Sequence, residues 1–134
     1  MKGASDLRMI NYKVLKFAFD LNENFEFTNS LIDVRPSFNR NIQKINENQY
    51  VLKLSVNISN TINKGPIPFN AEVVISSVFE LENWETGDAN TIAIKNATAI
   101  MFPYLRTLLA TITLNGNVPP YNLPIMDISR LFQD

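Results

Sequence analysis

The acidic residues that come closest together are Glu80, Glu82 and Glu85, which flank Trp84. Clustered carboxylates can divide general acid and base roles between them or hold a hard cation. No partner motif accompanies these three, and a solvated strand end accounts for them. The chain has no histidine, which removes the commonest general base and the commonest transition-metal ligand. It has no cysteine either, so disulfides, thiolate metal sites and thiol nucleophiles are all absent. Gly3, Gly65, Gly87 and Gly116 are too scattered to build a phosphate-binding loop. An enzyme built on this chain would need carboxylate, tyrosine or lysine chemistry, and no constellation supplies it. The expectation is a protein that is not an enzyme, with no metal and no cofactor.

The elements that would carry other work are easier to read. At 134 residues the chain is long enough for one domain with a real core. Tyr50 to Ser59 alternates strictly: Tyr50, Leu52, Leu54, Val56 and Ile58 face one way, Lys53, Ser55, Asn57 and Ser59 the other. That is a strand with one buried face. Phe69 to Phe79 repeats the alternation. Tyr12 to Leu21, with Leu15, Phe17 and Phe19 in phase, and Ile32 to Ile45, where Pro36 suggests an edge or bulge, are expected as two earlier strands. A hairpin turn is expected around Asn46 to Gln49. After Trp84 the pattern becomes helical. Short strand connections followed by grouped helices favour an α+β layout.

The helical run from about Thr98 to Leu114 places Pro103 near a first turn, Gly116 at a C-terminal cap and Pro119-Pro120 beyond it. Met101, Leu105, Leu108 and Ile112 fall on one face, widened by Phe102 and Leu109. From Thr107 to Met126 there is no charge, and within the helix only Arg106 is charged. A surface helix of a monomer should show a charged outer face. Burial on two sides, against the sheet and against another subunit, is the economical explanation; the alternative is a central helix in an ordinary monomeric core. Arg106 then pairs across a subunit interface or extends along its stem to solvent. A second short helix is expected to follow Asp127, docking through Ile128, Leu131 and Phe132.

Net charge is −1, and no basic surface argues for nucleic acid. Asp6 and Arg8 occupy the place where a secretory signal needs its apolar core, so a cytoplasmic chain is expected. Asn115, Gly116, Asn117, Pro119 and Pro120 interrupt the uncharged run, which argues against membrane insertion.

The stretch FPYLRTLLATITLNGNVPPYNLPIMDISRLF resembles the C-terminal signature of the SecB protein-export chaperones. The resemblance rests on Phe102-Pro103-Tyr104, Gly116, Pro119-Pro120, Asn122-Leu123 and Asp127, with the strand around Glu72 in matching order upstream. It implies a four-stranded antiparallel sheet with a crossover connection between its first two strands, backed by one long and one short C-terminal helix. It also implies a homo-oligomer, a dimer of dimers with the long helices between dimers, so that Met101, Leu105, Leu108 and Ile112 would form the oligomer interface. The implied work is to hold unfolded preproteins, or other non-native polypeptides, and pass them to SecA. Relatives with one dedicated antitoxin client offer a second role.

A holdase needs apolar and aromatic surface that accepts many sequences. Phe25, Phe27 and Leu31 in the NENFEFTNSL loop, Phe69 at a strand start, and Leu123, Ile125 and Met126 after the prolines are the candidate client-binding groove. The opposing reading tucks the loop aromatics onto the sheet and puts Phe69 in the core. With Asp134 as the last residue of the sequence, contact with SecA through the C-terminal tail that many members use is not expected. Glu72 on the sheet face is the possible SecA contact that the resemblance offers.

Overall fold

The computed structural model describes residues 6–25, 34–59, 67–115 and 131–132. Five antiparallel strands form one sheet: β1 (Arg8–Met9), β2 (Lys13–Leu21), β3 (Ser37–Asn46), β4 (Gln49–Ile58) and β5 (Phe69–Glu80). β1 and β2 pair in succession with the same side of β5, β4 pairs with its other side, and β3 lies beyond β4. The five strands therefore fill four positions. The chain leaves β2 at one edge and returns as β3 at the other, which is the expected crossover.

The strand alternation sets the core. Tyr50, Leu52, Leu54 and Val56 are fully buried and stand opposite Phe79, Ser77, Ile75 and Val73 of β5. The opposite face of the sheet carries Lys13, Lys16, Lys53, Asn57 and Glu72. Glu47 and Asn48 form the tip of the β3–β4 hairpin, tied to the chain after β5. Leu81 N–H donates to Asn48 O at 2.8 Å, and Trp84 Nε1–H donates to Asn46 O at 3.0 Å.

One helical run covers the sheet in three parts: α1 (Gly87–Thr91), a π-helical turn (Ile92–Asn96) and α2 (Ala97–Asn115). It begins at Gly87, whose φ of +51° suits a residue without a Cβ, and Asp88 places a negative charge in the first turn. Two side chains serve the carbonyls of the wide turn. Tyr50 Oη–H donates to Ala93 O at 2.6 Å, and Thr98 Oγ1–H donates to Ile94 O at 2.5 Å.

The helix corrects two expectations. Pro103 lies inside α2 rather than in a first turn, because the helical run starts at Gly87. The carbonyl that its missing N–H leaves unbonded belongs to Ala99, on the exposed face. Met101, Leu105 and Ile112 do not stand free for a second subunit: with Phe102 and Leu109 they are buried in this chain's own core. Of the four residues expected at the oligomer interface, only Leu108 lies at the margin of the core, partly covered. The outward face of α2 is Ala99, Ile100, Pro103, Tyr104, Thr107 and Thr111. Leu131 and Phe132 are helical and pack on the core, as expected of the second helix, whereas Asp127 and Ile128 fall outside the described residues.

Candidate functional site

β2 is an edge strand with its hydrogen bonds on one side made to β5. Its register puts Val14, Phe17, Phe19 and Leu21 on the helix side of the sheet, opposite Ile75, Val73, Ala71 and Phe69. The helix does not reach far enough to cover them all. Ile10, Val14, Leu15, Phe17 and Leu21 are 43–51% exposed, so one edge of the molecule is a strip of uncovered apolar side chains. The ladder shifts between Val14 and Lys16, leaving Leu15 as the extra residue of a bulge. That bulge takes Leu15 out of the phase expected for it with Phe17 and Phe19.

At its start the strip meets the helix. Tyr12 and Tyr104 pack with ring centroids 4.7 Å apart and planes at 32°. With Pro103, Thr107 and Leu108 they line an open, mainly apolar groove of about 340 Å³. Burial, and then Tyr104 beside it, pushes the Tyr12 hydroxyl above its usual range. The shift keeps the Tyr12 hydroxyl protonated as a hydrogen-bond donor beyond the pH at which a free tyrosine ionises. Ile100 and Tyr104, both more than two-fifths exposed, continue the apolar surface along α2.

Of the expected groove residues, Phe25 and Phe69 fall among the described residues. Phe25 is half-buried at the end of the turn that leaves β2, where its N–H donates to Asn22 O at 3.1 Å. Asn22 is itself anchored, donating from Nδ2 to Ile67 O at 3.0 Å and from its backbone N–H to Pro68 O at 2.9 Å. Phe69 is a correction: it is 4% exposed, stacked on Phe19 at 5.6 Å, and belongs to the core. Its place on the inner β5 strand, covered by the Phe19 ring, explains this, although its strand partner Leu21 is exposed. Phe27, Leu31, Leu123, Ile125 and Met126 lie outside the described residues.

The charged candidates are engaged elsewhere. Glu72 accepts from Lys16 Nζ at 2.6 Å on the outer face and stays one-third exposed. Glu80 pairs with Arg8 at 3.4 Å and accepts from Gln49 Nε2 at 3.2 Å, while Glu85 pairs with Lys44 at 2.6 Å. The Lys44 ammonium is held above its usual range by its hydrogen bond to Glu85 and by the Glu85 charge. Among the described residues, no three acidic side chains are grouped to hold a metal. Arg106 is half-buried, with its guanidinium over the Phe102 ring at 5.6 Å. Among the described residues, no helix is long and apolar enough to cross a membrane.

Sequence reasoning missed Val14 and the Tyr12–Tyr104 pair. The signal available was the density of apolar residues from Ile10 to Leu21, which exceeds what one buried strand face can use.

The profile of the family described as preprotein translocase subunit SecB matches residues 21–134, most of the chain. The chain belongs to the SecB family. Its relatives include an uncharacterised protein of Methanocaldococcus jannaschii, 30% identical, with 93% of this chain and 81% of the relative aligned. The protein-export protein SecB of Orientia tsutsugamushi, strain Boryong, is 32% identical over 70% of this chain and 59% of its own length. This SecB-family chain thus spans about three-fifths of the length of that export relative. In three dimensions it resembles the Rv1957 SecB-like chaperone of Mycobacterium tuberculosis, solved in complex with a ChAD peptide from the Rv1956 HigA1 antitoxin. The TM-score is 0.66 at 15% identity, covering 90% of this chain and 88% of that one. A protein of unknown function from Streptococcus agalactiae shares the fold at a TM-score of 0.56 and 14% identity, covering 90% and 98%. The antiparallel sheet backed by a long helix is the SecB-like fold that the resemblance implied.

Proposed function

We propose that this SecB-family chain is a passive, homo-oligomeric chaperone that holds non-native polypeptides, without nucleotide, in the cytoplasm. The observation that carries the reading is the uncovered apolar surface running from Ile10 to Leu21 and across to Ile100 and Tyr104. Contiguous apolar surface of this kind marks sites where a protein meets other polypeptide. A dimer of dimers requires two distinct contact faces, and the chain offers two. One is the edge of β2 that pairs with no other strand among the described residues, with its apolar strip. The other is the outward face of α2 with Ile100, Tyr104 and Leu108.

Clients then meet the parts of this apolar surface that subunit contacts leave open, together with Phe25, the half-buried Phe132 and, by the resemblance, Phe27, Leu31, Leu123, Ile125 and Met126. Each contact is weak, and affinity comes from several copies engaging one long client. The finer role we propose is to keep preproteins competent for export. A SecA contact through Glu72 would have to displace or include Lys16, which already neutralises the carboxylate. A second reading, a dedicated antitoxin client, is favoured by the fold shared with a chaperone solved in complex with an antitoxin peptide.

The test is light scattering of the purified protein, alone and with chemically unfolded, unrelated client proteins. A stable dimer or tetramer that suppresses aggregation of several clients supports the export role. Suppression confined to one antitoxin moves the role to the second reading. A monomer without effect on any client refutes the holdase.

A further inference from the structure

The helix-side positions of β3 are Phe38, Arg40 and Ile42, opposite Val56, Leu54 and Leu52. A guanidinium thus stands in a row of apolar side chains, half-buried rather than turned to solvent. Its Nη1–H donates to Thr98 Oγ1 at 3.1 Å, and the Thr98 hydroxyl donates in turn to the Ile94 carbonyl of the π-helical turn at 2.5 Å. Its Cζ also lies 4.8 Å from the centre of the Phe132 ring. One side chain therefore ties together three segments far apart in sequence: an edge strand, the start of α2, and Leu131-Phe132, which pack on the core. Beside it, Phe38 packs against the buried Phe102 at 5.5 Å.

We propose that Arg40 is a positioning residue of the chaperone: it seats Phe132 beside β3 and so fixes in advance the aromatic surface that a non-native chain meets at that end of the sheet. The proposal rests on the holdase reading. Lysine would not substitute, because the contact uses a planar group that stacks on a ring while a fixed N–H reaches the hydroxyl. Seating matters for affinity because a surface that must be ordered during binding gives up part of its interaction energy to that ordering. Releasing a partly desolvated cation–π contact should weaken client binding about three- to tenfold.

The experiment uses the full chain with Arg40→Met, Arg40→Lys, Phe132→Leu and the double variant R40M/F132L. Amide exchange of the peptide spanning Leu131 and Phe132 is measured in the free protein, and the Kd for a fluorescently labelled unfolded client is measured alongside thermal stability. The expectation is faster exchange of that peptide and a weaker Kd in both Arg40 variants, with R40M adding nothing once Phe132 is Leu. Unchanged exchange in R40M overturns the proposal. So does full rescue by R40K, or an equal loss of affinity from R40M in the F132L background, since Arg40 would then not act through Phe132. A wild-type chain that holds no client refutes the holdase reading and the affinity half of the proposal. The exchange arm needs no client and judges the seating separately.

Discussion

Removing one oxygen tests how the sheet holds the helix. Tyr50 is fully buried, its ring 4.6 Å from Trp84 and 5.8 Å from Phe79, and its hydroxyl donates to Ala93 O, on a residue that is also fully buried. Tyr50→Phe keeps the rings packed and withdraws the donor from a carbonyl that water cannot reach. The net loss of a hydrogen bond with a buried acceptor left behind is about 1.5–2 kcal/mol. At about 2.1 cal/mol/K per residue over this length, that corresponds to a fall in Tm of about 5–7 °C. Urea unfolding followed by the fluorescence of Trp84, the single tryptophan, reads the change in the immediate neighbourhood, at a fixed chain concentration so that the proposed assembly contributes equally to both proteins. The same hydroxyl gives a second arm. Burial holds it protonated far above the ordinary tyrosine range, whereas in the unfolded chain it ionises near pH 10. A folded pKa raised in this way means that stability is intact below about pH 10 and is lost as pH rises further, by up to about 1.4 kcal/mol per pH unit. The Phe variant lacks that loss, so the gap between the two proteins should shrink from about pH 10 and close near about pH 11–11.5. A Tyr50→Phe change below about 0.3 kcal/mol, or a gap that widens with pH, would show that the hydroxyl neither supports the π-helical turn nor stays protonated there.

Leu105→Ala should cost about 2–5 kcal/mol by opening a cavity in the core, with the oligomeric state unchanged; denaturant unfolding and light scattering check both. The pair Ile100→Glu and Tyr104→Glu should do the reverse, splitting a tetramer into dimers with little change in the monomer's fold, as read by light scattering and circular dichroism. Phe17→Asp with Leu21→Asp should break the remaining pairing, so that the smallest species seen is a monomer. If these edge substitutions leave the dimer intact, β2 is not a subunit contact.

The strand faces were legible because the side-chain period in a sheet is two and one face is buried. Tyr50 to Ile58 announces itself by alternation alone, and its register with β5 follows. The helix was harder. Its apolar residues run nearly all round, so periodicity did not separate the side on the sheet from the side left open, and Met101, Leu105 and Ile112 were placed on the wrong one. A π-helical turn ahead of α2 and a start at Gly87 further detach Pro103 from the first turn in which proline is usual. Arg40 was invisible for a different reason. Its partners Thr98 and Phe132 lie far away in sequence, and nothing in the pattern of β3 says which face an arginine takes.

The broken edge described for β1 and β2 has a consequence for how a sticky protein stays dispersed. Between them the ladder is carried by Asn11, whose side-chain Oδ1 accepts from Val78 N–H at 2.8 Å in place of a main-chain oxygen. A few residues on comes the bulge at Leu15. A long, flat, apolar edge strand is a template on which strand after strand can add. Here the regular stretch is only Lys16 to Leu21, and Lys16 and Asp20 put charges along it. That is enough ladder for one matched partner and too little for a growing stack. The irregularities at Asn11 and Leu15 act as stops: they let the chain keep adhesive surface for other proteins without becoming the seed of their aggregation.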